Sequence, residues 1–136
     1  MAAHFNDGVI KEFRENHGNL SGMFAGMKLL LLTTTGAKSG EKRVTPVAYT
    51  KDGNDHVIIA SFGGAPNHPA WFHNLVAHPE VTVEVGDETF AATAHVAEDP
   101  DHDRLYAAQA SQYPVFLEYQ KKTDRKIPVV VLKRNA

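Results

Sequence analysis

Residues 27–60 read MKLLLLTTTGAKSGEKRVTPVAYTKDGNDHVIIA and contain three apolar or β-branched runs separated by two short polar crossings. The runs at 27–35, 44–50 and 56–60 are short and rich in β-branched residues, so each predicts a strand rather than a helix. The second crossing contains Asp52-Gly53, and glycine supplies the positive φ that a tight hairpin turn requires. This stretch therefore predicts consecutive antiparallel strands.

Three more strands are predicted after residue 60. Strands at 81–85 and 88–96 are joined by the two-residue turn Gly86-Asp87, and a last strand covers 127–132. Six strands that are mostly joined by hairpins, with short helices between them, favour an antiparallel barrel over a parallel α/β sheet. The predicted fold class is mainly β with helices.

An amphipathic helix is predicted within residues 1–20. Asn6 or Asp7 caps it, and Gly18 ends it. Its apolar face favours docking on its own barrel, with cover of a pocket or contact with a membrane surface as alternatives.

Two further helices are predicted. The first is capped by Asn67, has Pro69 in its first turn and ends near residue 77. The second is capped by Asp99, and Pro114 breaks it.

Composition excludes several classes of protein. The chain has 136 residues, 43% of them hydrophobic and 22% charged, with a formal charge of -2, which predicts one domain over 1–136 and no nucleic-acid partner. It has no cysteine, so a disulfide, a thiolate metal site and a cysteine nucleophile are excluded. No apolar run approaches the roughly 18 residues of a membrane span, and a signal-like start is lacking, so a cytoplasmic location is expected.

The crossing GAKSGEKR at 36–43 is the first candidate site. It is not a P-loop, because Glu41 stands where that motif needs a lysine directly after its second glycine. Two interpretations remain open. The crossing is either a solvated hairpin tip, or an anion cradle formed by turn N–H groups, the Ser39 hydroxyl, Lys38 and Arg43.

A second glycine loop, SFGGAP at 61–66, favours the cradle. It leads into a predicted helix N-terminus, where N–H groups are unpaired and the local potential is positive. On that helix Ala70, Trp71 and Asn74 share one face by their spacing, although Trp71 is alternatively an ordinary core residue. Together these features suit a flat heterocycle with a phosphorylated tail.

Three motifs then stand in order: TTTGAKSGEKRVTP, SFGGAPNHPAWFHNL and YQKKTDRKIPVVVL. From about residue 9 onward the chain resembles the deazaflavin-dependent nitroreductase and quinone reductase family, a mycobacterial and nocardial group that uses reduced coenzyme F420. The resemblance implies a split β-barrel related to flavin-reductase and pyridoxamine-phosphate-oxidase-like proteins. Because the coenzyme carries a phosphodiester and an oligoglutamate tail, its anionic charge explains the cluster of cations at 38–43.

The resemblance also implies the residues that hold the coenzyme. Those implied for the phosphate and its linker are Ala37, Lys38, Ser39, Arg43, Val44, Thr45, Pro46, Val47 and Ala48. Those implied for the deazaflavin ring are Ile59, Ala60, Ser61, Phe62, Ala70, Trp71, Phe72, His73, Asn74 and Phe116.

The implied reaction is hydride transfer from the reduced coenzyme to a menaquinone-like quinone or, incidentally, to a nitroaromatic compound. Ser61 would bind the acceptor oxygen, and Tyr113 or Tyr119 would supply or orient protons. Peripheral contact with the inner face of the membrane would give access to a lipid quinone. A monomer is expected.

Two departures from the family pattern bear on the acceptor. Relatives commonly have lysine at the position of Phe62, and the nitroreductase has tyrosine at that of Phe116, so quinone reduction is favoured over reduction of nitro compounds. The alternatives are a non-catalytic carrier of coenzyme F420 and a related protein that binds flavin mononucleotide.

Other charged groups predict no separate site. His68, His73 and His78 recur at every fifth residue, which spreads them around a helix, so no metal site is expected. The basic run Lys121, Lys122, Arg125 and Lys126 is interrupted by Asp124 and is interpreted as a solvated face, with steering of an anionic tail as the alternative.

Overall fold

The computed structural model describes the backbone of residues 2–20 and 28–135. Within these ranges the chain forms helices and strands in the order α1 (Ala2–Glu15), β1 (Leu29–Thr35), β2 (Lys42–Asp52), β3 (Asp55–Ile59), α2 (Ala70–Ala77), β4 (Glu80–Val85), β5 (Glu88–Val96), α3 (Asp101–Gln112), α4 (Val115–Lys121) and β6 (Val129–Arg134). A single 3-10 turn, Phe62–Gly64, separates β3 from α2. In these ranges no helix is long and apolar enough to cross a bilayer.

The strands form a closed barrel in the order β1-β2-β3-β6-β5-β4. Every neighbouring pair is antiparallel, and β1 pairs with β4 to close the sheet. The β2–β3 and β4–β5 pairs are the two hairpins that their glycine turns predict. The predicted six-stranded antiparallel barrel with helices is therefore confirmed.

Alternation along β3 explains its continuous apolar run. Ile58 points into the barrel with Leu30 and Leu132, whereas Val57 belongs to a second cluster with Leu105 of α3. Because both faces of β3 are buried, the strand has no polar face for sequence patterning to show.

The helix starts were predicted wrongly in three places. α1 already begins at Ala2, since alanines extend a helix readily, and so neither Asn6 nor Asp7 is its cap. The N-cap of α2 is Pro69 rather than Asn67. A cap at Asn67 would make His68 helical, and His68 precedes Pro69, where helical conformation is disfavoured. Pro100 takes the place predicted for Asp99 as the cap of α3.

One helix was missed. Pro114 does end the α3 segment, but it is also the N-cap of α4, a position that proline tolerates because the N–H it lacks would be unpaired there. The last strand begins at Val129, two residues later than predicted. Pro128 lacks an N–H but still accepts a hydrogen bond from Ala60 N at 2.9 Å.

Pro46 shows that β2 has a partly unpaired edge. It lies opposite Leu31 of β1, and β2 pairs with β3 only from Tyr49 to Asp52. Within the described strands, the first part of β2 therefore has one neighbour, which is where proline is tolerated in a sheet.

The C-terminal end of α1 is held against the β4–β5 hairpin. Phe13 is buried, and Arg14 donates two hydrogen bonds to Glu84, at 3.0 and 2.8 Å. Gly18 has φ of +89°, and a Cβ there would lie 2.9 Å from the Cα of Gly86. The close approach and the positive φ both require glycine at position 18.

Replacing Gly18 tests this contact. G18A is expected to lower the free energy of unfolding by more than about 1 kcal/mol, since alanine disfavours the positive φ and its Cβ overlaps Gly86. The control is G8A, within α1, where nothing lies within 4 Å of an added Cβ. It should stabilise by roughly 0.5–1 kcal/mol. Urea unfolding of both variants measures the difference, and equal stabilities would contradict the packing described.

His56 predicts a pH dependence of stability. Its ring lies inside the barrel between Tyr49 and Phe90, with centroid distances of 5.3 and 5.6 Å. Burial, and then the charge of Lys51, lower the pKa of His56 below its ordinary value. The unfolded chain therefore binds a proton more readily than the folded chain, so stability is greatest above about pH 6.5 and falls as the pH decreases, by at most about 1.4 kcal/mol per pH unit.

H56F removes the titrating group and is expected to flatten the loss of melting temperature between pH 7 and pH 5. The control is H95F, the same change at an exposed position on β5. It separates loss of the buried imidazole from the effect of adding a phenyl ring. Identical pH profiles in H56F and the wild type would rule out His56 as a source of the dependence.

Candidate functional site

A cavity of about 1040 Å³ lies where the β1–β2 crossing, the start of β2, α2 and α1 meet. Its volume is that of a small-molecule site. The sequence-predicted residues that line it are Ala37, Lys38, Ser39, Arg43, Val44, Thr45, Ala70, Trp71, His73 and Asn74. Gly36 and Lys42, which belong to the crossing that the sequence marks as a candidate site, line it too. Three lining residues of α1 were not predicted for the site: Asp7, Ile10 and Arg14. The sequence shows that α1 has an apolar face, but it does not show which end of the barrel that face covers.

Hydrogen bonds within the crossing decide which of its amides are available. Gly36 N donates to Glu41 O at 2.7 Å, and Gly40 N donates to Gly36 O at 3.0 Å. The N–H of Glu41 donates to Ser39 Oγ at 3.1 Å. Among the described residues, none accepts a hydrogen bond from the N–H of Lys38 or of Ser39. Two adjacent amides are therefore open to an anion, beside a hydroxyl whose own proton is free to donate.

Three cations surround these amides. Lys42 Nζ donates to Thr35 Oγ1 at 2.8 Å, and Arg43 forms an exposed ion pair with Glu41 at 3.1 Å. In the described part of the chain the Lys38 ammonium has no acidic partner. Exposed ion pairs contribute little to stability, so Arg43 can exchange Glu41 for a ligand at small cost.

Asn74 fixes the crossing to α2. Its Oδ1 accepts from Ala37 N at 3.0 Å, and its Nδ2 donates to Thr34 Oγ1 at 3.2 Å. The side chain is 9% exposed, so both amide ends are used within the protein. Ala37 therefore lines the cavity with an N–H that is already paired.

Trp71 serves both the core and the cavity. It is 8% exposed and belongs to the barrel cluster with Leu75, and it also lines the cavity. The core interpretation of Trp71 is confirmed, and its contact with a ligand ring stays a prediction.

Several residues predicted for the site lie outside the lining of this cavity: Pro46, Val47, Ala48, Ile59, Ala60, Ser61, Phe62, Phe72, Tyr113, Phe116 and Tyr119. Ile59 and Ala60 are fully or nearly fully buried. Ser61 is 8% exposed, whereas the next residue, Phe62, is 60% exposed and has φ of +48°. The structure thus presents Phe62 to solvent and keeps the three residues before it inside.

Tyr113, which lies between α3 and α4, forms one contiguous aromatic group with Phe116 and Tyr119 of α4. The ring of Phe116 meets those of Tyr113 and Tyr119 edge-on, with centroid distances of 6.3 and 5.4 Å. Phe116 is only 6% exposed. The Tyr113 hydroxyl accepts from Lys28 N at 3.1 Å, which leaves its proton free to donate.

His68 is hydrogen-bonded to a cation, the guanidinium of Arg125. Burial, and then Arg125 and His73, lower the pKa of His68. The neutral ring accepts from Arg125 through Nδ1 at 2.9 Å. In the described ranges, three side chains alone have the spacing of a metal-ligand group: Asp99, His102 and Asp103. His102 Nε2 already meets the carbonyl of Ile127 at 2.7 Å, and none of the three lines the cavity.

Comparison with known proteins decides the family. The sequence model of the F420H(2)-dependent quinone reductases matches residues 8–134. The chain belongs to the F420H(2)-dependent quinone reductase family. An F420H(2)-dependent quinone reductase of Mycobacterium tuberculosis is 44% identical over 108 residues, which cover 77% of this chain and 72% of that protein. The family resemblance read from the three motifs is confirmed.

Solved structures agree with this family assignment. An F420-H2 dependent reductase, FDR-A, superposes with a TM-score of 0.73 at 39% identity, covering 78% of this chain and 94% of that one. A structure described as a domain-swapped dimer has a TM-score of 0.74 at 32% identity, covering 97% of this chain and 98% of that one. A pyridoxamine 5'-phosphate oxidase-like protein of Listeria innocua, 10% identical with a TM-score of 0.57 over 97% of this chain and 94% of that one, shares the fold alone.

For this F420H(2)-dependent quinone reductase family member, removal of the Asn74 amide tests the link between crossing and helix. N74A leaves the Ala37 N–H and the Thr34 hydroxyl without their partner, so it is expected to destabilise the protein by about 1–3 kcal/mol. The control is N67A, an exposed asparagine just before α2, which should change stability by less than about 0.5 kcal/mol. Thermal unfolding measures both, and equal melting temperatures would show that the Asn74 bonds contribute nothing.

Proposed function

We propose that this chain transfers a hydride from reduced coenzyme F420 to a quinone of the menaquinone class. The observation that carries the proposal is the pair of free amides at Lys38 and Ser39, which lie beside three cations in a cavity that Trp71 also lines. Donors of this kind fit a phosphate group, and family membership identifies the phosphorylated ligand as coenzyme F420.

The phosphate end would be held by the crossing. The N–H groups of Lys38 and Ser39 and the Ser39 hydroxyl would donate to phosphate oxygens, and Arg43 would neutralise charge on the linker or on the acidic tail. Ala37 would contribute contact area only, since its N–H is bound to Asn74.

The linker would follow the start of β2. Val44 and Thr45 line the cavity. The first part of β2 does not pair with β3, so the backbone groups of 46–48 on that side are available to the linker.

The ring would lie against α2. Ala70, Trp71, His73 and Asn74 line that wall of the cavity. We propose Ile59 and Ala60 as buried supports beneath the ring, and Phe72 and Phe116 as packing behind it, because Ile59, Ala60 and Phe116 have little or no exposed surface and Phe72 is partly buried against the core.

The bound coenzyme supplies the hydride, and the chain supplies position and protons. A quinone that receives a hydride also needs a proton to give the hydroquinone. Ser61 Oγ would orient the acceptor oxygen, and Tyr113 or Tyr119 would donate the proton. Phe62, exposed at the end of β3, would cover the reacting faces and exclude water.

A nitroaromatic acceptor is the weaker proposal. Phe62 and Phe116 provide no hydrogen bond to a nitro group, and each lost bond costs roughly 0.5–1.5 kcal/mol, about tenfold in rate at most. We therefore expect slow reduction of nitro compounds and faster reduction of quinones.

The decisive experiment mixes the pure protein with reduced coenzyme F420 and menadione and follows oxidation by absorbance. An enzyme accelerates the oxidation catalytically, whereas a carrier binds the coenzyme without accelerating it. A fluorescence titration with coenzyme F420 and with flavin mononucleotide then tests the other alternative. Tighter binding of flavin mononucleotide would contradict the proposed coenzyme.

The phosphate assignment predicts the effect of a double variant. K38A/R43A is expected to weaken binding of coenzyme F420 by at least about 100-fold, since each charged hydrogen bond is worth roughly 10- to 100-fold in affinity. K51A/K133A removes the same charge from positions outside the cavity and should cost less than about threefold. Titrations at one fixed ionic strength measure both. Equal losses would mean that only net charge matters, and would contradict the assignment.

The proposal extends to the oligomeric state of the protein and to its contact with a membrane. The solved neighbour that is a domain-swapped dimer covers nearly the whole chain, so we expect a dimer in place of the monomer predicted from sequence. Peripheral contact with a membrane stays a prediction, with exposed Val115 and Leu117 as the apolar side chains to insert.

A further inference from the structure

Arg125 connects two segments that flank the proposed ring site. Its Nε donates to Ala65 O at 2.9 Å, and its two terminal nitrogens donate to Ala60 O at 3.2 Å and Ser61 O at 2.8 Å. A fourth hydrogen bond joins it to His68 Nδ1 at 2.9 Å. One side chain thus binds the end of β3 and the approach to α2 together.

The guanidinium has no carboxylate partner among the described residues. All four of its acceptors are neutral, and they lie 57 to 65 residues away in sequence. The sequence-based interpretation of this position as part of a solvated face is therefore wrong. An arginine that uses four of its five N–H donors on backbone carbonyls and a histidine fixes geometry rather than balancing a charge.

The bound carbonyls lie on both sides of the 3-10 turn Phe62–Gly64. Ser61 O accepts from Arg125 and also from Gly64 N at 2.9 Å. Within this turn Phe62 has φ of +48°, a conformation that a phenylalanine does not hold without support. Arg125 supplies that support at the residue before the turn and at the residue after it.

Gln120 of α4 in turn holds the backbone that presents Arg125. Its Nε2 donates to Arg125 O at 2.8 Å, and its Oε1 accepts from Ile127 N at 3.0 Å. Arg125 is therefore held at its backbone by Gln120 and at its guanidinium by the turn.

We propose that Arg125 is a positioning residue for hydride transfer: it holds the turn after β3 so that Ser61 and Phe62 face the reacting ring, and Gln120 holds Arg125. This inference rests on the proposed function for its catalytic consequence. The ordering of the turn does not depend on that function.

The test compares R125Q and R125K with K126Q, which removes a charge from the next residue without touching the turn. Lys126 is exposed and pairs with Asp99. Hydrogen exchange read by mass spectrometry should show at least tenfold faster exchange of the 61–68 amides in R125Q. K126Q should leave that segment unchanged, and R125K should fall between them.

Kinetics with reduced coenzyme F420 and menadione give the second readout. R125Q should lower kcat about tenfold while the KM for the coenzyme changes less than threefold, because the phosphate donors at Lys38 and Ser39 are left intact. In a third variant, R125A, added guanidinium chloride at millimolar concentration should restore part of the lost kcat, whereas it should leave the kcat of K126Q unchanged. If R125Q does not fold, Q120A replaces it, with the same segment exchanging faster and kcat lowered to a smaller extent.

The outcomes separate the two claims. Faster exchange spread evenly over the barrel, or kcat equal to that of K126Q, overturns the positioning role. If the wild-type protein itself fails to oxidise the coenzyme, the proposed function is lost. The exchange comparison still decides whether Arg125 orders the turn.

Discussion

The site depends on the seating of α2 in the barrel core. Trp71 and Leu75 join the same cluster as the inward residues of β1, β3, β4, β5 and β6, so the helix cannot shift without opening that core. Because α2 is fixed in this way, Asn74 reaches both Thr34 at the end of β1 and Ala37 in the crossing. The shape of the crossing thus follows from burial elsewhere, and a preformed cradle loses little entropy when an anion binds.

Positive charge exceeds negative charge on the rim of the cavity formed by the crossing. The chain as a whole carries a formal charge of -2, but Lys38, Lys42 and Arg43 meet on one rim, and among the described residues the one ion pair that these cations form is that of Arg43 with Glu41. A rim of this kind attracts an anionic ligand and orients it before contact. The apolar wall at Trp71 would then suit an uncharged ring, so on the proposed function the cavity would distinguish the two ends of its ligand by charge.

Local patterns predicted the barrel well because its strands are short and its hairpin turns contain the glycines that such turns need. α4 was missed since Pro114 marks both the end of one helix and the start of the next, and only packing distinguishes these roles. The sequence also placed the crossing and Trp71 at the site. It could not show that Ala37 N is already paired, or that Arg125 turns inward, because the partners of both are distant in sequence.

The α1 helix adds a thermodynamic consequence. Ile10 and Arg14 line the cavity, while the same Arg14 holds the helix to Glu84 of β4. A ligand that fills this space lies between the helix and the barrel, so its binding energy also favours the docked helix. By reciprocity, whatever loosens the helix weakens the ligand to the same extent. Occupancy and the order of the amino-terminal segment are therefore one coupled equilibrium.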